Sequence, residues 1–293
     1  MPRLARALLT ALLIPLPLAA QIRASELASI SQTIDGTKIS VEYSRPRARG
    51  RDPLFGTEAA KWGEVWTPGA NWATTFELSN DVKLNGHSVP KGKYSVWMVV
   101  HKKGEDWTVV LDPRVHLFHM NHPDSTATQI RFAAKQEEAP FTDVLTWSMP
   151  ALRNNGATLA MQWERVRIPI TVEVQPSLVT TLSATDATPY LGSYTWTDVK
   201  KDGTDGKVYK FNVLYENNTL KGRWDPVDDY MKTFALIRIA PDMFTAGVYD
   251  KGEIYEVLKP DITFEFTQAA GKAASLTMRN NEDRLYGRAV RAP

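Results

Sequence analysis

Apolar and polar residues alternate along most of the chain from residue 28 onward, a pattern that indicates β-strands rather than helices. The clearest run, RVRIPITVEV, places five aliphatic side chains on one face: Val166, Ile168, Ile170, Val172 and Val174. Pro169 cannot donate a backbone hydrogen bond, so we expect this strand at the edge of a sheet. The segments YSVWMVVH and WTVVLD are apolar on both faces, which is typical of central strands in a packed sandwich. One short helix is expected at residues 57–63.

Turn signals separate these runs at short intervals. Asp35-Gly36 and Asn85-Gly86 predict tight hairpins, because both central residues of a type I′ turn need positive φ. Asn217-Asn218 indicates a further hairpin in the second half. Short strands with regular turn signals predict an all-β chain, in which an N-terminal antiparallel β-sandwich is followed by a small C-terminal β-barrel or sandwich.

Composition divides the chain into four parts. Residues 1–20 have a basic start and an apolar run that ends in Ala19-Ala20, which predicts a secretory signal peptide. We expect the sandwich domain at 21–174, a linker rich in Ser, Thr and Pro with one helical turn at 175–188, and a small β-rich domain at 189–293. The chain has no cysteine, so no disulfide can stabilise the fold. We expect a periplasmic or secreted protein.

The charge balance narrows the range of partners. The formal net charge is +2, and loss of Arg3 and Arg6 with the signal peptide would bring the mature chain to about zero. A neutral chain has no broad electrostatic attraction to nucleic acid or to anionic membranes. We therefore expect no nucleic-acid partner and no membrane insertion after signal cleavage, whereas a protein partner stays open.

Five motifs follow one another in the first half: Ser44-Arg45-Pro46, Gly50-Arg51, Val65-Trp66, Gly69-Ala70-Asn71 and the run PKGKYS from Pro90 to Ser95. On these motifs, roughly residues 28–174 resemble DUF2911, a family of exported bacterial proteins known as a domain of unknown function. The resemblance implies export and a β fold, and it implies no activity. Trp72 departs from the family pattern, in which an acidic residue is common after GAN.

The second half has a different resemblance, carried by the segments YLGSYTW, LYENNTLKGRW, IAPDMF and ITFEFTQAAGKAASLTM. Residues 189–293 are similar to a β-rich module found behind exported serine hydrolases and peptidases. The likeness lies in hydrophobic and turn positions, and it implies an accessory role.

Three histidines occur three residues apart in VHLFHMNHPD: His116, His119 and His122. Zinc takes three or four ligands from His, Asp, Glu or Cys. This spacing suits a loop or a 3₁₀ turn, where every third side chain lies on the same side, better than a strand, whose neighbouring side chains alternate. The segment is therefore a candidate zinc site. The alternative is a solvated loop whose histidines bind nothing.

Four other residues are candidate ligand contacts. Arg45 and Arg51 fit an anion site, because guanidinium groups pair with carboxylate, phosphate or sulfate. The alternative is a loop held by ion pairs to Asp52, Glu58 or Glu64. Trp66 and Asn71, in a turn region that also contains Trp72, fit a sugar site, where a ring stacks on C–H faces and an amide meets hydroxyls. The alternative is that Trp66 lies in the core and that Asn71 stabilises a turn.

Catalytic motifs are absent from the sequence, including GxSxG, HExxH, a phosphate loop and a dinucleotide fingerprint. The sequence therefore favours non-catalytic binding of a small anionic or carbohydrate ligand, without a cofactor. One alternative is a metal-dependent hydrolase that uses the three histidines and zinc. Another is a structural or partner-binding protein of the cell envelope.

Overall fold

A computed structural model describes residues 23–226 and 231–293. The segment expected to be a signal peptide, residues 1–20, lies outside the described residues. The structure is 61% strand, with one short helix, so the prediction of an all-β chain is confirmed. Within the described residues, no helix combines the length and the apolar character needed to cross a membrane.

Eleven strands lie in residues 23–174, the described part of the first half. They are β1 (Glu26–Ile34), β2 (Thr37–Arg45), β3 (Val65–Trp66), β4 (Thr75–Leu78), β5 (Val82–Leu84), β6 (His87–Val89), β7 (Gly92–Val99), β8 (Trp107–Asp112), β9 (Ile130–Ala134), β10 (Glu137–Arg153) and β11 (Gly156–Val174). One sheet has the order β1-β2-β4-β7-β8-β9, with β3 paired to β7, and the other has the order β10-β11-β5-β6. All these pairings are antiparallel.

The two sheets share one buried core, as a sandwich requires. Alternate residues of β2, including Ile39 and Val41, join alternate residues of β11, including Ile168 and Ile170, in a single cluster. Period-two patterning places one face of each strand in the core, where each large aliphatic side chain contributes roughly 1.5–3 kcal/mol by burial. The predicted N-terminal antiparallel β-sandwich is confirmed.

The second half begins with α1 (Ala184–Ala187) and a 3₁₀ turn (Thr188–Tyr190). In the described residues nine strands follow: β12 (Gly192–Val199), β13 (Asp205–Glu216), β14 (Thr219–Asp225), β15 (Thr233–Ala240), β16 (Met243–Asp250), β17 (Glu253–Val257), β18 (Ile262–Ala269), β19 (Lys272–Asn280) and β20 (Leu285–Arg291). Eight of them form a closed barrel in the order β15-β14-β13-β12-β20-β19-β18-β16, which pairing of β15 with β16 closes. β17 pairs with β16 outside this ring.

A second buried cluster, rich in aromatic rings, fills the barrel and contains no residue of the sandwich core. Of the two folds predicted for the C-terminal part, a small barrel or a sandwich, the structure has the barrel. The helical turn expected in the linker corresponds to α1, which Ser183 caps by accepting a hydrogen bond from the backbone N–H of Asp186. The domain boundaries at residues 174 and 189 stay a prediction.

The predicted hairpin turns are confirmed by their backbone angles. Asp35, Gly36, Asn85 and Gly86 all have positive φ, and so do Asn217 and Asn218 between β13 and β14. Glycine and asparagine reach this region at low cost, which is why these pairs specify the turns.

Two local expectations are wrong. Residues 57–63 form no helix, since the chain there turns on itself through short bridges from Phe55 and Thr57 to Ala60. The strand that contains Pro169 is internal to its sheet rather than an edge. It tolerates proline because β11 pairs with β10 up to Arg167 and with β5 from Val172 onward, so the missing N–H falls between the two ladders.

Candidate functional site

The histidine segment belongs to a loop, residues 113–129, that lies over the outer face of the first sheet. Along β7 the side chain of Trp97 points away from the sandwich core and forms a small buried cluster with Val110 and Ala73. Leu117 of the loop packs against this cluster. The strands are therefore apolar on both faces because the sandwich core covers one face and this loop covers the other.

Backbone hydrogen bonds join the loop to the turn that contains the GAN motif. Trp72 and Phe118 form an antiparallel bridge. The N–H of Ala73 donates to the carbonyl of Leu117 at 2.8 Å, and the N–H of His119 donates to the carbonyl of Asn71 at 2.9 Å. These bonds fix two irregular segments side by side.

A buried carboxylate anchors both ends of the loop. Asp112 is fully buried, and its Oδ1 accepts hydrogen bonds from the backbone N–H and the Nε of Arg114, at 2.8 and 2.9 Å. Its Oδ2 accepts from Arg114 Nη2 and from Gln129 Nε2, both at 2.7 Å. The Arg114 hydrogen bond is the main cause that lowers the pKa of Asp112 to about 2, against the opposing effect of burial.

Three rings form what we call the aromatic platform: Trp72, His116 and Phe118. The imidazole of His116 stacks on the indole of Trp72, with ring centroids 3.9 Å apart. Phe118 meets the same indole edge-on at 5.8 Å. Trp72 is 49% exposed and Phe118 is 41% exposed, and Met120 nearby in the loop is 70% exposed. Large apolar side chains grouped at the surface in this way are a feature of interaction sites.

Two residues beside or within the aromatic platform have uncommon backbone conformations. Asn71 and His116 both have left-handed backbone conformations, with φ of 62° and 61°. Asparagine tolerates this region, whereas for histidine it costs about 1 kcal/mol or more. The loop therefore holds His116 in an unfavourable conformation while its ring stacks on Trp72.

The three histidines contact three different aromatic rings. His116 lies on Trp72, His119 lies 4.5 Å from the Phe118 ring, and His122 meets Trp97 edge-on at 5.6 Å. Partial burial lowers the pKa of His119, and the nearby His122 lowers it further. In residues 23–226 and 231–293, no three or more His, Cys, Asp or Glu side chains are grouped so as to hold a metal ion. Zinc binding by these histidines stays a prediction.

The two candidate arginines donate to protein acceptors, Arg45 across to β10 and Arg51 within its own loop. Arg45 donates from Nε to the carbonyl of Leu145 at 3.3 Å and from Nη2 to Thr146 Oγ1 at 2.9 Å. Arg51 donates from Nε to the carbonyl of Ala48 and from Nη2 to that of Arg47, both at 2.8 Å. The ion pairs considered as an alternative do not form there, since Asp52 pairs with Arg165 and Glu58 with Lys61.

Trp66 and Asn71 also have structural partners. Trp66 stacks on Trp163 with ring centroids 5.9 Å apart and meets Phe55 edge-on at 5.6 Å, as part of the aromatic layer against the sandwich core. Asn71 Nδ2 lies 3.2 Å from the carbonyl of Ser25 and from Ser44 Oγ, and donates to both. Among Arg45, Arg51, Trp66 and Asn71, it is Asn71 whose backbone carbonyl accepts a hydrogen bond from the histidine loop, from the N–H of His119.

Trp72 lies in the turn region that the sequence indicated for sugar binding, whereas no candidate assignment from the sequence included Phe118. One signal pointed to Trp72, because it stands where an acidic residue is common in the resembling family. No signal pointed to Phe118, whose position beside Trp72 results from pairing of two loops that are 46 residues apart. Tertiary pairing of irregular segments leaves no period in the sequence.

The fold and this surface together define a two-sheet sandwich with a loop-borne aromatic site, followed by a closed barrel. Residues 25–172 match the family described as Protein of unknown function (DUF2911), and the chain belongs to that family. No curated protein and no solved structure matches the chain. The similarity of residues 189–293 to a hydrolase-associated accessory module stays a prediction.

Proposed function

We propose that this chain is an exported, non-catalytic carbohydrate-binding protein whose aromatic platform stacks on sugar rings. Export to the periplasm or the exterior is supported by the signal-like pattern of residues 1–20. A chain without cysteine also suits a compartment where free thiols would be oxidised.

One observation carries the proposal: a half-exposed indole that is fixed in place. The ring of Trp72 is stacked on His116 and bordered by Phe118, while its backbone is bridged to the loop. A flat ring that is already ordered binds the apolar C–H face of a pyranose with little further loss of side-chain freedom.

Carbohydrate is favoured over a small anion at this site. The guanidinium groups of Arg45 and Arg51 donate hydrogen bonds to protein acceptors, and that of Arg114 forms an ion pair with Asp112. These arginines are therefore already engaged by protein groups, which disfavours an anion as the ligand. The competing proposal is a metal-dependent hydrolase that uses His116, His119 and His122. Binding is favoured over hydrolysis because each of these imidazoles lies against an aromatic ring.

The proposal is tested by titrating the protein with cellotetraose, chitotetraose and maltotetraose and following tryptophan fluorescence. At least one of the three should saturate a single site. Trp72→Ala should weaken that binding about tenfold, since loss of one stacking contact costs roughly 1.4 kcal/mol. Trp62→Ala is the matched control, because Trp62 is also a partly exposed indole, 38% exposed, and packs against Gly56 rather than the loop.

Two results would overturn the proposal. One is that none of the three tetrasaccharides binds at millimolar concentration. The other is that Trp62→Ala and Trp72→Ala weaken binding equally. Thermal unfolding of both variants shows whether the sandwich is intact, and we expect small changes because both indoles are partly exposed.

A further inference from the structure

A pocket of about 550 Å³ opens on the barrel, between the linker and the hairpin that joins β15 to β16. Val179 and Leu182 of the linker form one wall, and Ile239 and Pro241 form another. Its volume falls within the range of small-molecule sites, and such sites are often found where two parts of a chain meet. The pocket is separate from the aromatic platform, which lies on the sandwich.

The linker wall is fixed to the barrel. The N–H of Leu182 donates to the carbonyl of Asn218 at 2.8 Å, and the hydroxyl of Tyr215 donates to the carbonyl of Leu182 at 2.8 Å. Leu182 also packs against the barrel core. The apolar walls are therefore preformed rather than assembled by a ligand.

Arg238 lines this pocket with most of its donors unused. Its Nε is buried without a hydrogen-bond partner, and its Nη2 lies 3.5 Å from the hydroxyl of Tyr190. The guanidinium lies over the rings of Tyr190 and Phe244, at 5.9 and 5.7 Å. Within residues 23–226 and 231–293, no carboxylate lies within ion-pair distance of it.

Another arginine of the same barrel shows the contrast. Arg291 donates to the carbonyls of Ala273, Leu191 and Pro189 and to the hydroxyl of Tyr194. A guanidinium carries five N–H donors, and a partly buried one is normally satisfied in this way. Arg238 therefore retains donor capacity for an acceptor that the described protein residues do not supply.

The backbone is irregular at the same place. Arg238 pairs with Phe244 and Ala240 pairs with Met243, so Ile239 is an extra residue in β15. A β-bulge of this kind redirects side chains and is frequent next to binding sites. The bulge thus lies directly beside Arg238, at the part of β15 that lines the pocket.

Asp242 is the negative group in the pocket, and it is already occupied. Its Oδ1 accepts hydrogen bonds from the hydroxyl of Tyr190 and from Gln268 Nε2, both at 2.7 Å. Since it makes no ion pair with Arg238, it leaves the guanidinium open. The negative charge of Asp242 repels an anion in the pocket, and it repels a dianion more strongly than a monoanion. The pocket therefore suits a singly charged ligand better than a phosphate dianion.

We propose that this pocket binds a small monocarboxylate with an apolar body. The carboxylate accepts hydrogen bonds from the Arg238 guanidinium, which matches the geometry of that group. The apolar body packs on Val179, Leu182 and Ile239. This inference goes beyond the carbohydrate site and does not depend on it.

Isothermal titration calorimetry with octanoate tests the proposal on the full chain. Wild-type protein should bind one octanoate, and octan-1-ol, which has the same apolar body without the charge, should bind at least tenfold more weakly. Inorganic phosphate should not compete. Arg238→Gln should weaken octanoate binding at least tenfold. The matched control is Arg288→Gln, because Arg288 is a barrel arginine already paired with Asp205.

A second variant guards against loss of folding. Arg238→Lys keeps the charge but loses the two-donor fork, so it should bind octanoate with intermediate affinity if the guanidinium contacts the carboxylate. Four results would overturn the proposal: no octanoate binding to wild-type protein, equal binding by both glutamine variants, octan-1-ol binding as tight as octanoate, or competition by phosphate. The last would show a general anion site in place of a carboxylate site.

Discussion

Asp112 is the residue on which the order of the candidate carbohydrate site depends. Its carboxylate is fully buried and accepts four hydrogen bonds from Arg114 and Gln129. Asp112→Asn removes the charge and one acceptor oxygen, and with it two of the four hydrogen bonds, so we expect the free energy of unfolding at pH 7 to fall by about 2 kcal/mol. Urea denaturation measures this change. Asp124→Asn is the control, since Arg114 and Gln129 reach Asp124 through its backbone carbonyl.

The same carboxylate gives the prediction a pH dependence. The pKa of Asp112 is about 2 in the folded chain, against an ordinary value of 3.8. A lowered pKa stabilises the fold above the unfolded value and loses that contribution as pH falls through the folded value. The difference between wild type and Asp112→Asn should therefore be full above about pH 4 and shrink towards pH 2. A difference independent of pH would contradict the assignment.

At the residue scale, sequence reasoning identified the region of the candidate site but selected a different ring. Trp66 and Trp72 lie in one turn region, and nothing local distinguishes a buried indole from an exposed one. Trp66 is packed because Phe55 and Trp163 come to it from distant parts of the chain. Trp72 is exposed because its partners, His116 and Phe118, border it without covering it.

At the element scale, β20 shows how the barrel accommodates its large rings. Gly287 faces Trp196 of β12, and a Cβ at this position would lie 2.1 Å from the indole carbon Cζ2. Small residues opposite bulky ones are a common solution inside small barrels. Gly287→Ala should destabilise the barrel by about 2 kcal/mol, because the indole cannot move without disturbing Phe211 and Trp224 around it.

Chemical denaturation followed by fluorescence measures this effect. Val290→Ala is the control on the same strand, since Val290 is 64% exposed and its truncation should change stability by about 0.5 kcal/mol or less. Equal effects of the two substitutions would show that the close contact at Gly287 is relieved by other means.

Elements with strict alternation were predictable from the sequence, and irregular ones were not. The buried positions of β2 and β11 follow period two, and the positive φ of Asp35-Gly36 and Asn85-Gly86 follows from turn chemistry. Residues 57–63 have the composition of a helix, but bridges to Ala60 fold them into turns. Pro169 indicated an edge strand, and the division of the β11 ladder between two partners could not be seen in one strand alone.

At the scale of the whole molecule, the two large hydrophobic clusters of the described residues are separate, which implies two units of stability. The cluster of the sandwich and that of the barrel share no residue. The segment between them is attached at both ends, through Ser177 to Asp35 in the sandwich and through Leu182 to Asn218 in the barrel. Asn154 of the sandwich also donates to the carbonyl of Ile254 beside the barrel. These are polar contacts at the surface, which couple units weakly.

Calorimetry of the full chain should therefore show two unfolding transitions rather than one. Asp112→Asn should lower the midpoint of the sandwich transition by about 5 °C, and Gly287→Ala should lower that of the barrel transition by a similar amount. Because the two sites lie in different cores and share no partner, the double variant should show both shifts added together. A single transition that each substitution lowers would instead mean that the linker transmits stability between the halves, and the two cores would then form one cooperative unit.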